Sequence, residues 1–325
     1  DTHLGDTLNV HSGSLPHVWP FLRPIFLGPL TPAPRCAPMV SSRSDVATHA
    51  VAFTHGRRTM SEIYWETHDG DGPYLLLVHG FLSSRAQWRL NLDAFRRFSR
   101  PVVVELWGHG RSPRPHEPSA YLPAGYLEQF ETIRQTLGIE RWLMCGQSLG
   151  ASLTLRYALT YPERVIAQIF TNSNSALATE TLTRQRHADA QAAIADIEQR
   201  GLDAVRNLRV HPKNARRLPE AVQAELVADA DSIDALAIAE SYRSLNPQSS
   251  VREAIQRLTV PTMLTCGRFE KRFTPLRDFA VQTIPGLQVV DLDAGHAVNI
   301  EAADEFNRCA AAFFLSHLET PAHSG

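Results

Sequence analysis

Ser148 stands in Cys145-Gly146-Gln147-Ser148-Leu149-Gly150, directly after an apolar run and directly before a stretch of helix formers. A serine fenced by two glycines at this spacing suits a sharp turn from strand to helix. Gly146 and Gly150, lacking a β-carbon, let strand and helix pass close beside a backbone bent to display the serine. The helix start also leaves free N–H groups near it. A serine hydroxyl is a weak nucleophile without a base. Of the fourteen histidines, His296 in Asp293-Ala294-Gly295-His296-Ala297 is the best placed. It follows the last expected strand and precedes the last expected helix. His187, His211, His317 and His323 fall in helical or terminal segments and read as solvent-facing.

The base in turn needs a carboxylate to hold its tautomer and stabilise the imidazolium. Glu270, closing Gly267-Arg268-Phe269-Glu270, is the choice. Asp291 and Asp293 are runners-up, but they are so close to His296 along the chain that a suitable hydrogen bond is less natural. The loop Thr171-Asn172-Ser173-Asn174 offers no carboxylate. A surface ion pair with Arg268, Lys271 or Arg272 is the alternative role for Glu270, and those cations would keep it ionised. His79-Gly80-Phe81-Leu82 follows another apolar run. The backbone N–H of Phe81 could join that of Leu149 in stabilising an oxyanion, a contribution of about 3 kcal/mol for a single donor. His79 itself reads as a structural histidine, hydrogen-bonded within its loop. The chemistry is acyl transfer to water through an acyl-serine, with His296 moving the proton.

These groups can meet only if the chain builds the right frame. Tyr74 to Val78, Pro101 to Leu106, Trp142 to Cys145, Val165 to Phe170, Thr262 to Cys266 and Leu287 to Leu292 are short apolar runs of buried-strand length. A shorter strand is expected at Ile63-Tyr64-Trp65. Helical spacing is expected over residues 86–98, 121–137, 148–159 and 302–318. Strand and helix in alternation predict an α/β fold with a mostly parallel sheet covered on both faces. Ligands then bind outside the carboxyl ends of the strands, where Ser148, Glu270, His296 and the His79 loop all fall. The rhythm breaks over residues 176–248, which are helical throughout and look like a cap. The expected division is a tail over 1–59, a core over 60–175 and 249–320, and the cap between the two core pieces.

The first 59 residues hold seven prolines and no periodicity, and they read as a disordered tail without a catalytic role. The segment from Met60-Ser61-Glu62 looks like a natural start. The formal net charge of -2 gives no argument for nucleic acid or an anionic membrane surface. No run approaches the ~18 apolar residues of a spanning helix. Four cysteines without a CxxC pair read as reduced and buried, which favours a cytoplasmic setting. No HExxH and no GxxxxGK[ST] pattern occurs, so neither metal nor cofactor is expected.

With these motifs in view, residues 61 to 318 resemble the α/β-hydrolase superfamily. The stretches that carry the resemblance are "HGFLSS" at 79–84, "ELWGHGRS" at 105–112, "GQSLG" at 146–150, "VPTMLTCGRFE" at 260–270 and "AGH" at 294–296. It implies a triad of Ser148, Glu270 and His296, and oxyanion donors at Phe81 and Leu149. His79, Gly80, Gly146, Gln147 and Gly150 serve as motif and structural positions. Glutamate stands where aspartate is commoner in this branch. The substrate expected is a small-molecule carboxylic ester. Carbon–carbon bond hydrolysis of ring-cleavage products is the alternative. "GRFE" followed by "RFTPL" is similar to loops of that subgroup, although Gln147 stands where asparagine is common there. A thioesterase, a lactonase, or a ligand receptor without turnover on the same fold are further alternatives. Arg184, Arg186, Arg206, Arg209, Lys213, Arg216 and Arg217 make the cap locally basic, read first as a solvated face.

Overall fold

The apolar runs become strands because leucine, valine and isoleucine fill both faces of a covered sheet. The computed structural model describes residues 62–318, and the tail expected over residues 1–59 lies outside them. Among the described residues seven strands form: β1 (Trp65–Thr67), β2 (Tyr74–Val78), β3 (Arg100–Val104), β4 (Trp142–Gly146), β5 (Val165–Thr171), β6 (Thr262–Gly267) and β7 (Gln288–Leu292). They make one sheet in the order β1-β3-β2-β4-β5-β6-β7. Only β1 runs antiparallel to its neighbour; every other pairing is parallel.

Side chains alternate across each strand. On one face Leu76, Val78, Met144, Phe170 and Leu264 pack under α2 (Pro123–Thr136) and α3 (Leu149–Thr160) through Phe130, Leu153 and Tyr157. On the other, Leu75, Leu77, Leu143, Cys145 and Met263 meet Phe95, Phe306, Phe313 and Phe314. Phe95 ends the short α1 (Leu92–Phe95), and the other three belong to α10 (Ala303–Leu318). Each such side chain, when fully buried, contributes about 1.5–3 kcal/mol relative to exposure.

Between β5 and β6 the chain is helical: α4 (Glu180–Arg200), α5 (Leu202–Asn207), α6 (Glu220–Ala230) and α7 (Ala235–Glu240), with shorter turns between and after them. Ile194, Ile197, Val205 and Ile238 give this insertion its own small core, into which Leu82 projects from the loop after β2. Ser84 and Asp229 add a hydrogen bond of 2.5 Å across the same seam. Two further helices, α8 (Thr274–Thr283) and α9 (Val298–Glu301), follow β6 and β7.

Three local expectations differ. The helix expected over 86–98 is a 3-10 turn at Arg85–Trp88 followed by α1 alone. Gln87 and Asn91 are drawn into a buried amide network with Asn299, which fixes the chain in a tighter path. The first strand sits two residues later than Ile63, where Trp65 to Thr67 can pair with β3. α8 was not expected, although Pro275 in its first turn is a common helix opener.

Candidate active site

A sheet wound in both directions has a crevice where the strand order reverses. Here β2 sends the chain outward to β3, and the chain returns on β2's other side as β4. The loops after β2 and β4 therefore face each other, with Val78 level with Gly146. Ser148 occupies the turn after β4 at φ 53° and ψ -109°, a strained backbone for a residue with a β-carbon. The glycines explain how so tight a turn fits. A β-carbon on Gly150 would lie 2.1 Å from the Val78 carbonyl oxygen, and one on Gly146 would lie 2.4 Å from Thr154 Oγ1. One on Gly80 would lie 2.2 Å from Gln147 Oε1 and 3.2 Å from Ser148 Cβ, so the His79 loop packs directly on the serine turn. No hydrogen bond among the described residues engages the N–H of Phe81 or of Leu149.

β5, β6 and β7 continue the sheet beyond β4. Neighbouring strands are about 4.8 Å apart, so a group after β7 must lean back over β6 and β5 to reach the serine. The loop after β7 does so. A β-carbon on Gly267 would lie 1.9 Å from the Gly295 carbonyl, so the missing side chain opens that path. Phe269 N–H donates to the Ala294 carbonyl at 2.9 Å. Gln147 Nε2 donates to the His296 carbonyl at 3.3 Å, tying the His296 loop to the serine turn.

The three sequence-selected side chains come together. His296 Nδ1 lies 2.9 Å from Glu270 Oε2, and His296 Nε2 lies 2.9 Å from Ser148 Oγ. A carboxylate only accepts, so Nδ1 carries the proton and Nε2 is left to accept from the serine hydroxyl. The His296 side chain is 46% exposed and Glu270 18%, so the serine end opens outward while the acid lies beneath. Asp293 pairs with Arg268 at 2.7 Å and Asp291 with Arg277 at 2.5 Å, so neither runner-up faces the His296 ring.

Sequence reasoning passed over four residues here. Asn172 Nδ2 donates to Glu270 Oε2 at 2.6 Å, and Asn174 Nδ2 donates to Oε1 at 2.7 Å. Burial alone would raise the Glu270 carboxyl. The hydrogen bond and charge of His296, helped by both asparagines, outweigh it and hold the group below its usual 4.5. Ser173 Oγ donates to the Ser148 carbonyl at 2.6 Å and steadies the strained turn. Glu301 accepts from the N–H groups on either side of His296, Gly295 at 2.6 Å and Ala297 at 3.2 Å. The signal available in the sequence was position: Asn172 to Asn174 follow β5 on the same rim.

His79 and His109 serve the frame. His79 Nδ1 donates to the Gly80 carbonyl while Nε2 accepts from Leu106 N–H. His109 Nδ1 donates to the Trp107 carbonyl while Nε2 accepts from Leu82 N–H. Both are fully enclosed, and burial pushes His79 from 6.5 down to about 3 and His109 down to about 4. The unfolded chain therefore takes up these protons first as pH falls below 6.5. Their contribution to stability is complete above that pH and drains as pH drops toward the folded values. The slope is up to ~1.4 kcal/mol per pH unit for each histidine. The urea unfolding midpoint should decline steadily from pH 7 to pH 5; a constant midpoint over that range contradicts the assignment.

A family model described as alpha/beta hydrolase fold matches residues 73–303. A Bacillus subtilis (strain 168) protein provisionally named 2-succinyl-6-hydroxy-2,4-cyclohexadiene-1-carboxylate synthase is 24% identical over 249 residues, which is 74% of this chain and 90% of that protein. Carboxylesterase YbfK of the same organism is 24% identical over 259 residues, covering 77% of this chain and 82% of its own. The structure of MenH from S. aureus superposes with a TM-score of 0.71 at 17% identity, over 78% of this chain and 99% of that one. At that identity the likeness concerns the fold. No described helix is long and apolar enough to cross a membrane.

Proposed function

The chain belongs to the alpha/beta hydrolase fold family, and from that premise we propose a serine hydrolase that cleaves small to medium carboxylic esters through an acyl-serine. The observation that carries this reading is the unbroken relay from Glu270 through His296 to Ser148, each link 2.9 Å long. Ser148 Oγ attacks the ester carbonyl carbon as its proton passes to His296 Nε2. Glu270 holds the Nδ1 proton and stabilises the imidazolium that forms. The carbonyl oxygen becomes an oxyanion facing the N–H groups of Phe81 and Leu149. Collapse breaks the bond to the alcohol oxygen, which receives the proton from His296. Water then gives its proton to the same nitrogen as it attacks the acyl carbon, and collapse of that intermediate breaks the bond to Ser148 Oγ, which takes the proton back from His296 as the acid leaves. Residues 176–248 roof this site and set which acyl and alcohol groups enter.

Support for an ester comes from the carboxylesterase relative as well as the relay. A second reading has one observation in its favour. The relative named for a cyclohexadiene carboxylate synthase matches a similar span at the same 24% identity, so membership leaves room for carbon–carbon bond chemistry. The deciding assay offers the protein 4-nitrophenyl butyrate, a thioester, a lactone and a vinylogous diketone. Fastest turnover of the oxygen ester is expected. Cleavage of the diketone without hydrolysis of the ester would move the assignment to carbon–carbon hydrolysis.

A further inference from the structure

The basic run of the insertion does not form one uniform face. Arg184 faces Glu180 one turn back at 3.7 Å, and Arg206 faces Asp231 at 2.7 Å and Asp203 at 3.1 Å. Those are ordinary solvated ion pairs. Arg186 and Arg217 are placed differently. Arg186 Nη1 donates to the Asn174 carbonyl at 2.9 Å, and the Asn174 side chain holds Glu270. The Arg217 guanidinium carbon stands 4.5 Å over the centre of the Phe269 ring. Its Cδ lies 3.3 Å from where a β-carbon on Gly295 would be, beside the base. Both arginines thus reach from the insertion to the backbone next to Glu270 and His296.

Neither is matched by an acid among the described residues; the contacts of Arg186 and Arg217 are a carbonyl and an aromatic ring. Two carboxylates lie close by and both are occupied: Glu270 by His296 and the two asparagines, and Glu301, whose oxygens lie 3.0 Å from the same Gly295 point, by the N–H groups of Gly295 and Ala297. Phe269 is 47% exposed, a large apolar side chain beside the Arg217 guanidinium. A guanidinium held over a ring makes no hydrogen bond to it, and its N–H fork matches a carboxylate in two parallel hydrogen bonds. Arg186, held by one N–H, has others to offer.

We propose that Arg217 and Arg186 form a subsite for a carboxylate carried by the substrate, with Phe269 against its apolar body. The reading rests on the esterase proposal and narrows it: the ester cleaved is an amphipathic half-ester of a dicarboxylic acid, or an ester whose alcohol bears an acid. The hydrolysed bond and the proton path are unchanged.

The test compares mono-4-nitrophenyl adipate with 4-nitrophenyl hexanoate, which share chain length and differ in the terminal acid. Equilibrium binding is measured on Ser148→Ala protein, where the esters persist, and kcat/KM on protein with Ser148 intact. The acid ester should bind about tenfold tighter. That preference should shrink at high salt, vanish in Arg217→Gln combined with Arg186→Gln, and survive Arg184→Gln. The ratio of kcat/KM for the two esters should fall by the same factor in the double variant. Arg217→Lys should recover only part of the preference, because an ammonium lacks the fork. Equal or weaker binding of the acid ester, or a preference that survives both glutamine substitutions, overturns the subsite. A binding preference that behaves as expected, with no turnover of either ester, upholds the subsite and overturns the esterase reading.

Discussion

Ser148→Ala protein should hydrolyse 4-nitrophenyl butyrate on the order of 10⁴-fold or more slowly than the parent while remaining folded. The loss is large because nucleophile and base act as a unit. Without Oγ there is nothing for His296 to deprotonate and no acyl-enzyme. The fold should survive because alanine also carries a β-carbon and sits no worse at φ 53° than serine does. The hydroxyl's one side-chain partner is the half-exposed His296 ring. Its removal should change stability by no more than about 1 kcal/mol. Parallel kcat measurements and thermal melts check both halves. Hydrolysis at the parent rate by a folded variant would remove Ser148 from the chemistry.

The second large effect concerns the acid. Glu270→Gln should lower kcat on the order of 10⁴-fold, the effect seen when a triad carboxylate becomes an amide. Both Glu270 oxygens accept hydrogen bonds: Oε2 from His296 and Asn172, Oε1 from Asn174. A glutamine has one oxygen and one NH₂ group, so whichever way it turns, an N–H faces another donor. One orientation meets Asn174. The other meets His296 and favours the wrong tautomer of the ring. A buried donor left unpaired adds about 1–3 kcal/mol of destabilisation, so a lower melting temperature should accompany the kinetic loss. Asp293→Asn is the comparison, since Asp293 faces Arg268 at 2.7 Å and not the base. Its kcat should stay within about twofold of the parent. The reverse pattern, with Asp293 essential and Glu270 dispensable, would reassign the acid.

How far the sequence could be read follows from what each residue type announces. Ser148 was legible because its two glycines have one steric reason to be there, and Gly146 and Gly150 each prove to admit a close neighbour. Glu270 and His296 were legible from place alone, after the sixth and seventh strands, since a parallel sheet collects such loops at one rim. Asn172 and Asn174 are not legible because they carry no charge, and a neutral amide that orients a carboxylate looks like any turn residue. Glu301 escaped for the opposite reason: a carboxylate at a helix end reads as surface charge until the N–H groups beside His296 are seen to point at it. The helix expected over 86–98 failed where the periodic signal of Trp88, Leu92 and Phe95 was real but the Gln87 and Asn91 amides had long-range partners. Periodicity reports which face is buried, and it is silent on hydrogen bonds some two hundred residues away. The basic run of the insertion likewise separated into paired and unpaired arginines only in three dimensions.

That Ser148 is made nucleophilic by its neighbours is tested most directly by covalent capture. Incubation with a fluorophosphonate, followed by intact mass and peptide mapping, should show one adduct per chain on the peptide bearing Ser148, with labelling strongly slowed in Glu270→Gln protein and nearly abolished in His296→Ala protein. A folded parent protein that stays unmodified, or that takes the label on another residue at the same rate in all three proteins, would contradict it.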